Sequence, residues 1–238
     1  SAVIDRTELA LYHNNWIEEA KVEAAVYTMR FGDLGVAVSG KWLYLPFTEY
    51  DQYAASVSGS YYAEAVAAAN AAVRLFPGYY FYGVAVGLNL KAAYRSFPDY
   101  DLDDDGVLEP DELSTGEDQS AFAVMVDAGA LTRFNFLKFF GSRTKNAAFG
   151  LTLRNLGPPA KSEPLATVAS AGFSWSPIRP VTISTDLSLP VNLLDPAGSE
   201  RWYWSAGFLA QLTGFLGLQG GFQLKGANPR ISLGAAVE

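Results

Sequence analysis

Residues 101–112 read Asp-Leu-Asp-Asp-Asp-Gly-Val-Leu-Glu-Pro-Asp-Glu, and that order of oxygen donors is the order of a calcium loop. A hard cation takes carboxylates from Asp101, Asp103 and Asp105 at the first, third and fifth places, and Gly106 supplies the sharp turn at the sixth. The Val107 carbonyl falls seventh, Glu109 acts directly or through water at the ninth, and Glu112 stands twelfth, where a bidentate acid belongs. The implied cofactor is Ca2+. The flanking helices of an EF-hand are not legible, since Tyr94 to Pro98 closes a strand and Ser114-Thr115-Gly116 follows soon after. The same acids also suit a solvated rim that binds no ion.

A second set of charges is dispersed along the chain: Asp33, Lys41, Glu64, Arg74, Lys91, Arg95, Asp127, Arg133, Arg154 and Asp186. Each sits in an alternating apolar and polar run, so each points to the polar side of a strand. Opposite signs on neighbouring strands suggest ion pairs that fill an interior; a substrate path or a proton relay is the other reading. Hydrolytic chemistry is not expected. His13 is the single histidine and reads as a rim residue, so no Ser-His-Asp triad assembles. Gly83 to Gly87 lies within a strand, with no phosphate-binding fingerprint around it.

The elements that position these groups are strands of unusual length. From Ser56 to Leu75 the odd positions Ala63, Ala65, Ala67, Ala69, Ala71 and Val73 are apolar, while the even ones include Ser58, Ser60, Glu64, Asn70 and Arg74. After Phe76-Pro77-Gly78 the alternation restarts, with Tyr82, Val84, Val86, Leu88 and Leu90 opposite Gly83, Ala85, Gly87, Asn89 and Lys91. Period two is the signature of a strand. A strand crosses a bilayer in about 9–11 residues, whereas a soluble strand has about 5–6, so both runs are long enough to span. A soluble all-β domain with half-buried strands is the competing reading.

The same pattern covers the rest of the chain. Strands are expected over Thr7 to Trp16 and Lys21 to Phe31, and from Asp33 to a stop at Pro46. Others are expected around Phe122 to Arg133, Asn146 to Arg154, residues 165 to 176, Val181 to Leu189, Trp202 to Leu212, Leu216 to Leu224 and Ile231 to Val237. Tyr61, Tyr62, Tyr79, Tyr80, Tyr82 and Tyr94 mark strand ends and suit headgroup depth. The expected fold is all-β: one antiparallel up-and-down transmembrane β-barrel of about 12–14 strands over residues 1–238, with an acidic inserted loop at 98–118.

Composition agrees with that class. Half of the 238 residues are hydrophobic, yet no uninterrupted apolar run approaches the ~18 residues of a spanning helix. Cysteine is absent, which removes disulfides and thiolate sites and is compatible with a periplasm-facing location. The net charge of -8 argues against a nucleic-acid partner. The opening Ser1 to Glu8 reads as no signal peptide, which a mature or trimmed chain explains as well as a cytosolic one does.

The run from Gly83 to Lys91, Asp127-Ala128-Gly129-Ala130, the run from Gly150 to Gly157, and Trp175-Ser176-Pro177 together resemble the PorV/PorQ-type outer-membrane barrels, relatives of the FadL long-chain fatty-acid transporters. That resemblance covers most of residues 7–225 and implies a barrel in the bacterial outer membrane, embedded in its lipid. It further implies uptake or passage of hydrophobic, fatty-acid-like small molecules and no enzymatic activity. The alternative it carries is a non-transporting barrel that binds partner proteins in secretion or structure. Two family features have no counterpart here: the Asn-Pro-Ala hatch before Thr7 and a C-terminal aromatic residue. A chain trimmed at both ends, or an unusual barrel, is expected from that.

Overall fold

The computed structural model describes residues 7–15, 19–50, 53, 56–78, 82–97, 120–161, 163–226 and 228–237. Twelve strands follow one another: β1 (Glu8–Asn15), β2 (Lys21–Phe31), β3 (Leu34–Tyr50), β4 (Ser56–Leu75), β5 (Val84–Ser96), β6 (Ala121–Phe134), β7 (Ala147–Leu156), β8 (Thr167–Trp175), β9 (Val181–Val191), β10 (Tyr203–Gln211), β11 (Leu216–Lys225) and β12 (Asn228–Val237). They form a single antiparallel sheet in sequence order, an up-and-down meander in which each strand pairs with the next. There is no α-helix among the described residues. Connections at one end, here the lower, are residues 32–33, 76–83, 135–146, 176–180 and 212–215. Those at the upper end are 16–20, 51–55, 97–120, 157–166, 192–202 and 226–227.

Because side chains alternate across a strand, the register sorts the sequence into two faces. One rung runs Tyr27, Val38, Ala69, Leu90, Val126; the next in phase runs Ala25, Gly40, Ala67, Ala92, Val124. Those belong to an apolar face. Between them lie the rungs of the other face, such as Ala37, Asn70, Asn89, Asp127. Leu88 and Leu90, in the middle of the sheet, remain 58% and 56% exposed, and Leu11 and Leu233 on the two edge strands reach 75% and 82%. Among the described residues the only buried apolar side chains are Ala20, Ala85 and Ala147. The accessible surface is 15955 Å², against roughly 10,000 Å² for a compact monomer of 25.7 kDa. Among the described residues these three alanines are the whole of the buried apolar set.

Aromatic clusters occupy both ends of the apolar face. Tyr44 stacks on Tyr61 and Trp204 meets Phe222 near the upper end. Phe134 and Phe136 pack against Phe173 and Trp175 near the lower. Two indole N–H groups on this face find acceptors: Trp204 Nε1 donates to Thr185 Oγ1 at 2.7 Å and Trp175 Nε1 to the Phe136 carbonyl at 2.8 Å.

Three local readings of the sequence are corrected. Pro46 does not end its strand; β3 continues to Tyr50. The β2 ladder stops at Tyr44, so at Pro46 only β4 remains as a partner and a residue without N–H is tolerated. Pro190 lies likewise beyond the first β10 pair, and Pro229 is on the outermost strand. Tyr62 lies on the polar face, donating to Glu64 and packing edge-on against Phe97. Tyr82 does not share the phase of Val84, because Gly83 intervenes with φ +90° and breaks the alternation. Leu75 O stands where a Cβ at Gly83 would be, so glycine is required there. Tyr79 and Tyr80 lie outside the described residues.

Candidate functional site: the polar face and the cavity at its upper end

A hydrogen-bonded network crosses the middle of the polar face from β4 to β8. Asp127 on β6 accepts from Lys91 Nζ at 2.7 Å, from Asn89 Nδ2 at 3.0 Å and from the Asn155 backbone N–H at 2.8 Å. Lys91 also donates to Asn155 Oδ1, and Asn155 Nδ2 donates to the Ala166 carbonyl at 3.0 Å. Thr167, 2% exposed, donates to the Asn155 carbonyl, while Asn70 donates to the Leu88 carbonyl. A carboxylate with three donors and a lysine with two acceptors is the satisfied arrangement that removal from bulk water demands.

Asn155 is the residue that closes this network. Its φ of +58° is left-handed, a region Asn tolerates better than most side chains. The β6–β7 register shifts there, with Arg154 and Asn155 together opposite Asp127. That bulge aims the Asn155 N–H and side chain at Asp127 and Lys91. The sequence signal was the Asn-Leu-Gly run before two prolines, which reads as a strand break. Gly157 completes the device, since a Cβ there would meet Val124 O.

At the lower end a second cluster closes the polar face. Arg74 Nη2 is 2.7 Å from Asp33 Oδ1, and the guanidinium groups of Arg74 and Arg133 lie 5.2 and 5.5 Å from the centre of the Tyr82 ring. Cations on an aromatic ring and a carboxylate tie β2, β4, β5 and β6 together without apolar burial.

Above the network the polar face becomes less polar. The rung Val66, Ala93, Ala123 follows Lys91 and Met125, and then come Glu64, Arg95 and Ala121. The connection 157–166 folds over these residues, held by mutual backbone bonds between Ala160 and Glu163. Beneath it is a cavity of about 570 Å³ walled by Val66, Ala93, Ala123, Met125 and Leu165, with Glu64, Arg95, Lys161 and Glu163 around it. That volume lies in the range of small-molecule sites. A larger groove, about 830 Å³, lies on the apolar face over Gly40, Ala65 and Ala67, and His13, with Nδ1 2.5 Å from Glu23 Oε1, lies at its side.

Of the dispersed charges, the structure joins Asp33 to Arg74 and Lys91 to Asp127. Glu64 and Arg95 are register partners at the cavity, and Arg95 lies over the Phe97 ring. Lys41 shares the rung of Val66. Arg154 is exposed beside the bulge. Asp186 fills the space above Gly172, where a side chain would collide with it. Asp101, Asp103, Asp105, Val107, Glu109 and Glu112 all lie outside the described residues. Among the described residues no three acids, histidines or cysteines gather as a metal site.

The profile of the family described as "Uncharacterised protein family (UPF0164)" matches residues 1–238. Two curated proteins of Treponema pallidum (strain Nichols), both named UPF0164 protein, are similar. One is 26% identical over 157 residues, 66% of this chain and 28% of that protein. The other is 25% identical over 201 residues, 79% of this chain and 42% of that protein. The chain thus spans less than half the length of the curated relatives it matches.

Proposed function

The chain belongs to the UPF0164 family, and from its two-faced sheet we propose that it is part of an outer-membrane β-barrel that takes up or holds hydrophobic, fatty-acid-like small molecules. No helix among the described residues is long and apolar enough to span. The apolar face would meet lipid and the polar face would line the lumen. Phe122 and Phe134, at opposite ends of β6, are 12 residues apart, roughly 40 Å along a strand and about 28 Å along the normal at 45° tilt. That matches the height of a barrel's apolar band between its aromatic girdles. With an even number of strands, β1 and β12 run antiparallel, so the edges are compatible with meeting each other or with receiving further strands. Backbone groups left open to hydrocarbon would each cost several kcal/mol, so closure is required.

The observation that carries the ligand reading is the cavity under 157–166. Its walls are Val66, Ala93, Ala123, Met125 and Leu165, and Arg95 stands where a carboxylate headgroup would need a cation. In a closed barrel the Lys91–Asp127 network would lie across the lumen beneath this cavity, and that supports a bound ligand over an open pore. Native mass spectrometry of the purified barrel tests this: a retained acyl chain is expected, and it should be lost on Ala123→Trp. A barrel that never carries an acyl chain would instead favour the partner-binding reading, for which the filled polar network is the supporting observation.

The acidic stretch 101–112 joins β5 to β6 at the upper end, the end with the longer connections, which in outer-membrane barrels faces outward. We propose Ca2+ binding there through Asp101, Asp103, Asp105, the Val107 carbonyl, Glu109 and Glu112.

A further inference from the structure

We infer that residues 135–146, the lower connection between β6 and β7, are an anchor for anionic phospholipid headgroups; this rests on the membrane reading above. The charge is the first observation. Residues 133–146 carry Arg133, Lys138, Arg143 and Lys145 and no acid, in a protein whose net charge is -8. Arg179 joins the same loop from the 176–180 turn, donating to the Gly141 carbonyl at 2.9 Å. The strand ends that flank the acidic residues 98–118, Ser96 of β5 and Ala121 of β6, are at the opposite end.

The second observation is how firmly the loop presents apolar side chains. Asn146, buried, donates to the carbonyls of Phe136 and Ser176 at 2.7 and 3.0 Å and accepts from the Phe136 N–H at 2.9 Å. The Phe139 N–H donates to the Pro177 carbonyl at 3.0 Å, and Lys138 Nζ bonds the carbonyls of Ser142 and Thr144 at 2.6 and 2.7 Å. The backbone is thus tied down, yet Leu137, at a left-handed φ of +39°, is 57% exposed and Phe139 is 70% exposed. Phe136 leans on Phe173 and Trp175, which belong to the apolar face, so the loop lies on the outer side of the rim. Apolar tips among cations, beside a lipid-facing surface, are the composition that partitions into a charged interface.

The absence of cysteine makes the test direct. A Phe139→Cys chain carrying one environment-sensitive fluorophore is reconstituted in phosphatidylcholine vesicles and in others with about a third phosphatidylglycerol. The expected result is a blue-shifted, lipid-quenchable emission that develops with the anionic lipid. With Arg143→Gln added, about fivefold more anionic lipid should be needed for the same shift, the effect of one cation near a charged surface. Leu88→Cys with the same label is the control for the barrel itself. If its label reads lipid while the Phe139 label stays aqueous in both vesicles, the anchor is wrong and the barrel stands. If the Leu88 label is itself aqueous, both fall.

Discussion

The two faces of β4 to β7 are built from the same strands and differ only in the parity of the residue, yet they solve opposite problems. On one, Asn70, Asn89, Lys91, Asp127 and Asn155 join hydrogen bonds that run from strand to strand. On the other, Leu88, Leu90, Phe122 and Leu151 stand with no layer above them. A water-soluble sheet does the reverse, covering its apolar side and leaving its polar side to solvent. In the proposed barrel the tied polar groups would face the lumen and the bare apolar groups would face lipid.

The largest effect should come from reversing that assignment. Leu88→Arg and Leu151→Arg, on the apolar face, are expected to lower folding stability in bilayers by about 2–4 kcal/mol each, whereas Gln219→Arg on the polar face of β11 should change it by less than about 1 kcal/mol. Equal assembly of all three, measured as the heat-modifiable band on gels, would erase the distinction. Next comes the network: Asp127→Ala takes the counter-charge from Lys91, which keeps only Asn155 Oδ1, and the acceptor from Asn89 Nδ2, and should cost about 2–3 kcal/mol. Asp33→Ala at the more exposed Arg74 pair should cost under about 1 kcal/mol. Denaturant titration of the folded barrel reads both.

The bulge provides a finer probe. Asn155→Gly keeps the left-handed backbone and loses the side-chain bonds, for about 1 kcal/mol. Asn155→Val loses the bonds and adds strain, for roughly 2–3 kcal/mol. If valine is the milder of the two, the φ at this position is not what holds the network. The smallest effect on the fold should come from the acidic connection. Calorimetric titration is expected to find one weak calcium site, in the 10⁻⁴–10⁻³ M range, absent from Asp101→Ala/Glu112→Ala. Identical heats for the two proteins would make 101–112 a solvated rim.

Period two made the strands and the facing of residues such as Ala69, Leu88 and Asp127 legible, and the regular spacing of turns between about twelve strands made the meander order legible. What was not legible depends on the few residues that break parity. Gly83 at positive φ places Tyr82 between two arginines, and Asn155 at positive φ turns a supposed strand break into the centre of the network. Pro46 misled for a different reason, since whether a proline ends a strand depends on its neighbours in the sheet and not on its own strand. The cavity was illegible because connection 157–166 folds back over the polar face, and nothing in Pro158-Pro159-Ala160 announces its direction.

In the proposed barrel lipid covers one face of the sheet and the other is enclosed. Single nitroxide labels placed by cysteine substitution at each position from Val84 to Tyr94, in bilayers, report this through their collisions with oxygen and with a water-soluble nickel complex. Alternation with period two is expected: oxygen access high at Val86, Leu88 and Leu90, and low at Gly87, Asn89 and Lys91. Uniform access of the nickel complex to Leu88 and Leu90, or an alternation of the opposite phase, would contradict it.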